Sequence, residues 1–175
     1  KKVTCVHKSN VMRITDGVFV KACTEISKEY PDIIFEQMYV DACAMNLIRQ
    51  PEQFDVIVTT NLFGDILSDE SSQVVGGLGM APAANLGDNF ALFEPVHGAA
   101  FDIAGQNIAN PSSFLLSIKM MLDWLGAKHN DPKCLEVATK LESTIFDLVK
   151  SGIKTKDIGG DKTTSEFTKQ ITDNL

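Results

Sequence analysis

Residues 61–71 read NLFGDILSDES and set Asp65 and Asp69 four positions apart, with Glu70 beside the second. On a helix, side chains at i and i+4 stand one above the other, and like charges there cost roughly a few tenths of a kcal/mol. A divalent cation would remove that repulsion. Mg²⁺ or Mn²⁺ suits such a pair, because both take hard oxygen ligands, few of them from protein, and keep positions open for water and substrate. Zinc fits less well, since no cysteine or histidine spacing accompanies the acids. The alternating acids and central glycine of an EF-hand loop are absent. Taken alone, such a pair is more often a solvated helical face than a metal site.

The elements around these acids sharpen the question. Alternation and β-branched residues predict a strand over 3–7, then a helix in TDGVFVKACTEISKEY with Thr15 or Asp16 as its cap and Pro31 and Asp32 at its end. IIFEQMYV predicts a second strand, and DACAMNLIRQ a short helix that stops before Pro51. DVIVTT predicts a third strand, and the helix that carries Asp65 and Asp69 runs from Asn61 to about Val75, where GGLG stops it. Lys8 and Asp41 follow the first and second strands, and the carboxyl ends of strands are where open α/β sheets bind ligands. Asp41 is equally suited to cap the helix it precedes, and the two jobs can coexist. A lone lysine is usually a solvated charge, but beside a metal the pKa of Lys8 would fall and it could act as a general base. His7 is given no role.

Residues 76–111 are rich in glycine, alanine, asparagine and proline, and long irregular segments of this kind are usually functional. Within them FALFEPV predicts a fourth strand. Ser112 and Ser113 are expected to cap a long apolar helix to about Leu125, followed by the helix CLEVATKLESTIFDLVK, a glycine turn at DIGGDKTT and a last amphipathic helix, SEFTKQITDNL. Strands and helices alternate first and helices dominate later, which argues an α/β fold, a layered sheet with flanking helices.

Composition bounds the rest. With 175 residues, 44% apolar and 22% charged, the sequence reads as globular. A net charge of −7 without a basic cluster argues against nucleic acid as a partner. The most apolar stretch, FLLSIKMMLDWLGA, is broken by Lys119 and Asp123 well short of the roughly 20 residues a bilayer needs, so no membrane partner is expected. Cys5, Cys23, Cys43 and Cys134 lie at no ligand-like spacing and are taken as packing thiols of a cytoplasmic protein. The abrupt start at KKVTCVH suggests that an N-terminal part precedes these residues.

NLFGDILSD, VHKSNVMRITDGVF, MYVDACAMNL and FEPVHGAAFDIAGQNIANP together resemble, in this order, the motifs of the β-decarboxylating dehydrogenases. That family contains isocitrate, 3-isopropylmalate, homoisocitrate and tartrate dehydrogenases. The resemblance covers nearly the whole sequence and implies the C-terminal half of such an enzyme, incomplete as it stands. Residues 1–75 would form its metal, substrate and dimerisation part. Residues 76–175 would form the cofactor loop and C-terminal helices of its dinucleotide-binding domain. By the same resemblance Asp65 and Asp69 bind Mg²⁺ or Mn²⁺ together with Asp41 from the other subunit of a homodimer with a shared active site. Lys8 reaches across the interface as the base, and Asn10 lies near nicotinamide and substrate. The arginines that clamp the substrate carboxylates, the acidic tyrosine and the first part of the cofactor domain are not among these residues, so the isolated piece is expected to be inactive.

The resemblance also assigns the loop at 94–111. His97 and Gly98 lie against adenine and ribose, and Asn110 contacts the base. Asp102 can accept hydrogen bonds from the ribose hydroxyls of NAD but would repel the 2′-phosphate of NADP. Family members that prefer NADP carry lysine there, so NAD is expected. Phe101 departs from the proline usual at its position. The implied reaction is oxidative decarboxylation of a 2-hydroxy di- or tricarboxylate with a carboxylate on the β carbon. 3-Isopropylmalate of leucine biosynthesis stands first, ahead of isocitrate and homoisocitrate. A non-catalytic regulatory subunit is the alternative from another class, against which the presence of Lys8, Asp41, Asp65 and Asp69 weighs. A bare helical dimerisation module is the third.

Overall fold

The computed structural model describes all 175 residues, in two compact units, Lys1–Val74 and Val75–Leu175. The first unit runs β1 (Lys2–His7), α1 (Thr15–Ser27), β2 (Ile34–Tyr39), α2 (Val40–Arg49), β3 (Val56–Thr59) and α3 (Asn61–Val74). Its three strands are parallel in the order β2-β1-β3. The central β1 carries the apolar run that such a position demands, and Cys5 and Val6 are fully buried. Val6 packs with Cys43 and Leu47 of α2 and Leu67 of α3, which seats both helices against the sheet. Burial pushes the thiols up, to about 12 for Cys5, which has Cys23 beside it, and to about 11 for Cys43. Both buried thiols are packing groups, as expected.

Helix α1 departs from the sequence expectation at both ends. Its N-cap is Ile14, with no side-chain cap. Asp16 points inward instead, 2% exposed, and accepts the Lys8 N–H at 2.6 Å. The helix stops at Ser27, earlier than Pro31, because Lys28, Glu29 and Tyr30 each donate to the carbonyl three residues back, which tightens the chain into 3₁₀ geometry.

The second unit contains an antiparallel hairpin, β4 (Pro82–Leu86) and β5 (Ala91–Pro95), and the helices α4 (Ser112–His129), α5 (Pro132–Lys150) and α6 (Thr164–Asn174). The strand expected in FALFEPV is β5. Its partner PAANL was not legible, having neither alternation nor β-branched residues, and it is a strand because Ala84 pairs with Phe93 across the Gly87 turn. Ser112 and Ser113 do not cap α4. Both are fully buried, and Ser113 and Ser117 donate from Oγ to the carbonyls of Ala81 and Glu94, which docks the helix on the hairpin. The N-cap is Pro111, with no side-chain cap, and Asn110 Oδ1 just before it receives the Ser112 N–H at 2.9 Å. Helix α4 continues to His129, past Leu125, until Asn130 turns left-handed at φ 53°. Asp131 caps α5 ahead of Pro132, and Thr163 with Glu166 forms a capping box on α6. Ile145 of α5 and Phe167 and Ile171 of α6 lie at the centre of the core. No helix is long and apolar enough to cross a membrane.

Gly160 fixes the turn between α5 and α6. Its N–H reaches the Thr155 carbonyl at 2.8 Å, and a Cβ on it would lie 1.8 Å from the Lys154 carbonyl oxygen. Backbone cannot yield as a side chain tip does, so Gly160→Ala is expected to destabilise the protein by about 2–3 kcal/mol. Thermal denaturation checks this, and an unchanged melting temperature would contradict it.

Candidate metal and dinucleotide sites

The parallel register of β1 on β2 sets His7 opposite Tyr39, and the residues just beyond those ends meet. Lys8 Nζ and Asp41 Oδ1 form an ion pair, and the ammonium also lies 5.8 Å from the centre of the Tyr39 ring. Asp41 sits in the first turn of α2 but does not cap it; the N-cap is Tyr39, without a side-chain hydrogen bond. The Lys8 hydrogen bond, helped by backbone N–H groups of Asp41 and Ala42, holds the Asp41 carboxyl below the usual carboxylate range. The pair therefore persists above the ordinary carboxylate pKa and is lost as pH falls through the lowered value.

The backbone of Lys8 is held as firmly as its side chain. Asp16 accepts its N–H, and its carbonyl accepts from Val11 and Met12 at 2.9 and 2.8 Å. Asn10 lies in the resulting turn with its side chain exposed. His7, 4% exposed, accepts the Ser9 N–H on Nδ1 at 3.2 Å and packs edge-on against Tyr39. Burial lowers its pKa. Asp16 and Tyr39 are the neighbours of Lys8 that sequence reasoning missed, since strand register alone brings Tyr39 to the lysine.

Asp65 and Asp69 fall on α3, which follows β3 at the same carboxyl edge of the sheet, where Thr59 of β3 pairs with Val6 of β1. Both are exposed. Only their main-chain carbonyls are engaged, by Ser68 and Ser72, so the carboxylates themselves are free to bind a cation. One chain assembles no group of three or more His, Cys, Asp or Glu able to hold a metal. Two unpaired carboxylates suit a hard divalent ion.

In the second unit, His97 and Gly98 follow β5. His97 Nδ1 lies 2.9 Å from the Gly98 carbonyl. A carbonyl only accepts, so this contact is a hydrogen bond in the form that carries a proton on Nδ1. Asp102 occupies a single 3₁₀ turn, Phe101–Ile103, its carbonyl receiving Gln106 Nε2 at 2.7 Å and its carboxylate exposed. Phe101 is 87% exposed and leaves these polar groups untouched. Asn110 closes the loop with both ends of its amide engaged: Oδ1 accepts the Ser112 N–H, and Nδ2 donates to Asp157 Oδ2 at 3.0 Å.

The isocitrate/isopropylmalate dehydrogenase family model matches residues 1–174, and the chain belongs to that family. It is 53% identical to 3-isopropylmalate dehydrogenase of Sulfurisphaera tokodaii over 100% of this chain and 52% of the relative. It is 52% identical to homoisocitrate dehydrogenase of Methanocaldococcus jannaschii over 98% of this chain and 47% of the relative. The crystal structure of isocitrate dehydrogenase from Methylococcus capsulatus superposes with a TM-score of 0.92 at 44% identity, covering 99% of this chain and 50% of that one. The chain thus spans about half the length of the relatives it matches.

Proposed function

We propose that these residues belong to an NAD-dependent enzyme that oxidatively decarboxylates a 2-hydroxy acid bearing a β-carboxylate, with 3-isopropylmalate as substrate. The Lys8–Asp41 pair at the carboxyl edge of the parallel sheet, beside a helix with two free aspartates, is the observation that carries this. Relatives named 3-isopropylmalate dehydrogenase at 50–54% identity support the choice of substrate. Homoisocitrate is the second candidate, on the 52% identity to a relative of that name.

In this account Asp65 and Asp69 of one chain hold Mg²⁺ or Mn²⁺ with Asp41 of a second copy, which supplies Lys8 as well. Support comes from the incomplete ligand set of one chain, and from exposed Met45 and Ile48 on α2 and Leu62 and Ile66 on α3, apolar groups suited to a partner surface. Asp65 and Asp69 of one chain and Asp41 of the second copy would hold the ion, which would supply Lewis-acid chemistry at the substrate hydroxyl. Lys8 would take the hydroxyl proton, bound NAD would supply the hydride acceptor, and the β-keto acid would lose CO₂ to an enolate that takes up a proton at carbon. Asn10 lines the place where nicotinamide and substrate meet. His97 and Gly98 lie against adenine and ribose, Asn110 contacts the base, and Asp102 accepts from the ribose hydroxyls. Residues 1–75 thus serve metal, base and dimer contact, and residues 76–175 the dinucleotide. Four free cysteines support a reducing, cytoplasmic setting.

Assay of the protein at its natural length against 3-isopropylmalate, homoisocitrate and isocitrate, with NAD and Mg²⁺, tests this. Turnover of 3-isopropylmalate ahead of the other two is expected; no turnover of any of the three would reject the proposal. Asp102→Lys is expected to lower the ratio of kcat/KM with NAD to that with NADP by about 100-fold, by removing charge-assisted hydrogen bonds and adding a partner for the 2′-phosphate. An unchanged ratio would remove Asp102 from the cofactor site.

A further inference from the structure

We propose that Asp16 is a positioning residue for Lys8: it fixes the backbone from which the lysine side chain reaches over the carboxyl edge of the sheet, and the rate of proton transfer depends on that hold. The inference rests on the reading of Lys8 as the base and goes beyond it, since Asp16 lies eight residues on, in the first turn of α1, and is not one of the metal or cofactor groups.

Lys8 stands where the strand ladder ends. The last pairs of β1 are His7 with Tyr39 of β2 and Val6 with Thr59 of β3. The Lys8 N–H therefore lies beyond the ladder and needs an acceptor from elsewhere. Asp16 Oδ2 accepts it at 2.6 Å, while the Lys8 carbonyl accepts from Val11 and Met12 at 2.9 and 2.8 Å. The peptide groups on both sides of the Lys8 Cα are thus held. A lysine stem is flexible, so the amine takes its direction from that fixed origin and from Asp41 and Tyr39 at its far end. A displacement of about 1 Å at a reacting group can cost about 100-fold in rate, so the anchor bears on turnover rather than on affinity.

Asp16 is placed for this contact. Burying a carboxylate is costly unless it is hydrogen-bonded, and Asp16 is 2% exposed. Its position in the first turn of α1 sets the positive end of the helix dipole around it, which offsets part of that cost. It looks onto the face of β1 that carries Cys5 and His7, and both feel its charge. Its own N–H donates to the Met12 carbonyl at 3.1 Å, and the Met12 N–H donates to the Lys8 carbonyl. Lys8, Met12 and Asp16 are therefore joined in one closed turn, with the carboxylate as its latch. Packing against a thiol and an imidazole does not call for a charge there; an acceptor aimed at the Lys8 N–H does.

The test uses the protein at its natural length and reads kcat, KM for NAD and for the hydroxy acid, and Mn²⁺ affinity. Asp16→Ala is expected to lower kcat about 30-fold, with both KM values and Mn²⁺ affinity changed less than about threefold. Asp16→Asn, whose side-chain oxygen can still accept the Lys8 N–H, is expected to keep kcat within about threefold of the parent. Lys8→Met should itself lie about 1,000-fold below the parent. In that background Asp16→Ala is expected to cost less than about twofold more, because a residue that acts through the amine has nothing to act on once the amine is gone. Asp131→Ala, which removes the cap of α5, is the control for general destabilisation and should leave kcat alone. If Asp16→Ala does not fold, Asp16→Ser, too short to reach the Lys8 N–H, takes its place with the same expectations. Four results would each overturn the inference and leave Lys8 as the base: kcat of the alanine variant within about threefold of the parent, an asparagine variant as slow as the alanine one, a further loss of about 30-fold in the Lys8→Met background, or an equal loss in the control. A Lys8→Met protein with unchanged kcat would overturn both.

Discussion

Lys8→Met in the protein at its natural length is expected to lower kcat about 1,000-fold, the range for loss of a general base, while Mn²⁺ affinity changes by less than about threefold. Methionine keeps the length and the apolar stem of lysine, so the turn at 8–12, held by the Lys8 main chain to Asp16, Val11 and Met12, should survive. What disappears is the amine at the carboxyl edge of the sheet and the partner of Asp41. Asp41 is then relieved of competition for its carboxylate, which is why metal binding should not fall. Steady-state kinetics alongside Mn²⁺ titration separate the two effects. Loss of metal binding with loss of turnover would make Lys8 a structural group, and unchanged kcat would remove it from the chemistry.

Asp65→Asn is expected to do the reverse: weaken Mn²⁺ binding about 100-fold and lower kcat/KM about 1,000-fold at fixed metal, with activity partly restored by raising the metal concentration. An amide offers one neutral oxygen where the carboxylate offers two charged ones, so a hard cation loses most of its attraction at that position. The substitution should not damage the fold, since the Asp65 carboxylate is exposed and only its carbonyl is used, by Ser68. Kinetics at several Mn²⁺ concentrations check it. A variant whose loss is independent of metal would show that Asp65 acts some other way.

The first unit was largely legible in the sequence. Alternation and β-branched residues located β1, β2 and β3 to within a residue or two, and with them Lys8, Asp41 and the α3 aspartates beyond the carboxyl ends of the strands. The Lys8–Asp41 contact was not legible as a contact, since it depends on the register of two strands about thirty residues apart, which no local pattern specifies. Asp16 misled for a related reason: an acid before a helix reads as a cap, and only the fold shows it turned inward toward Lys8.

In the second unit β4 escaped because its strand state comes from its partner rather than from its own residues. The serines after Pro111 looked like caps, yet they are small residues packed against the hairpin, and the N-cap is Pro111, with the Asn110 side chain reaching past it to the Ser112 N–H. The hold of Asn110 on Asp157 is set by tertiary packing alone. The motifs were visible as residue types; which atoms of those residues remain free for a ligand was not.

The central claim is a divalent ion shared between two copies of this chain. Anomalous diffraction from Mn²⁺-soaked crystals of the protein at its natural length measures it directly. The account expects a peak held by Asp65 and Asp69 of one copy and Asp41 of the other, with the Lys8 amine alongside. A crystal of the homodimer that shows no manganese there, or manganese bound without Asp41 of the second copy, would contradict it.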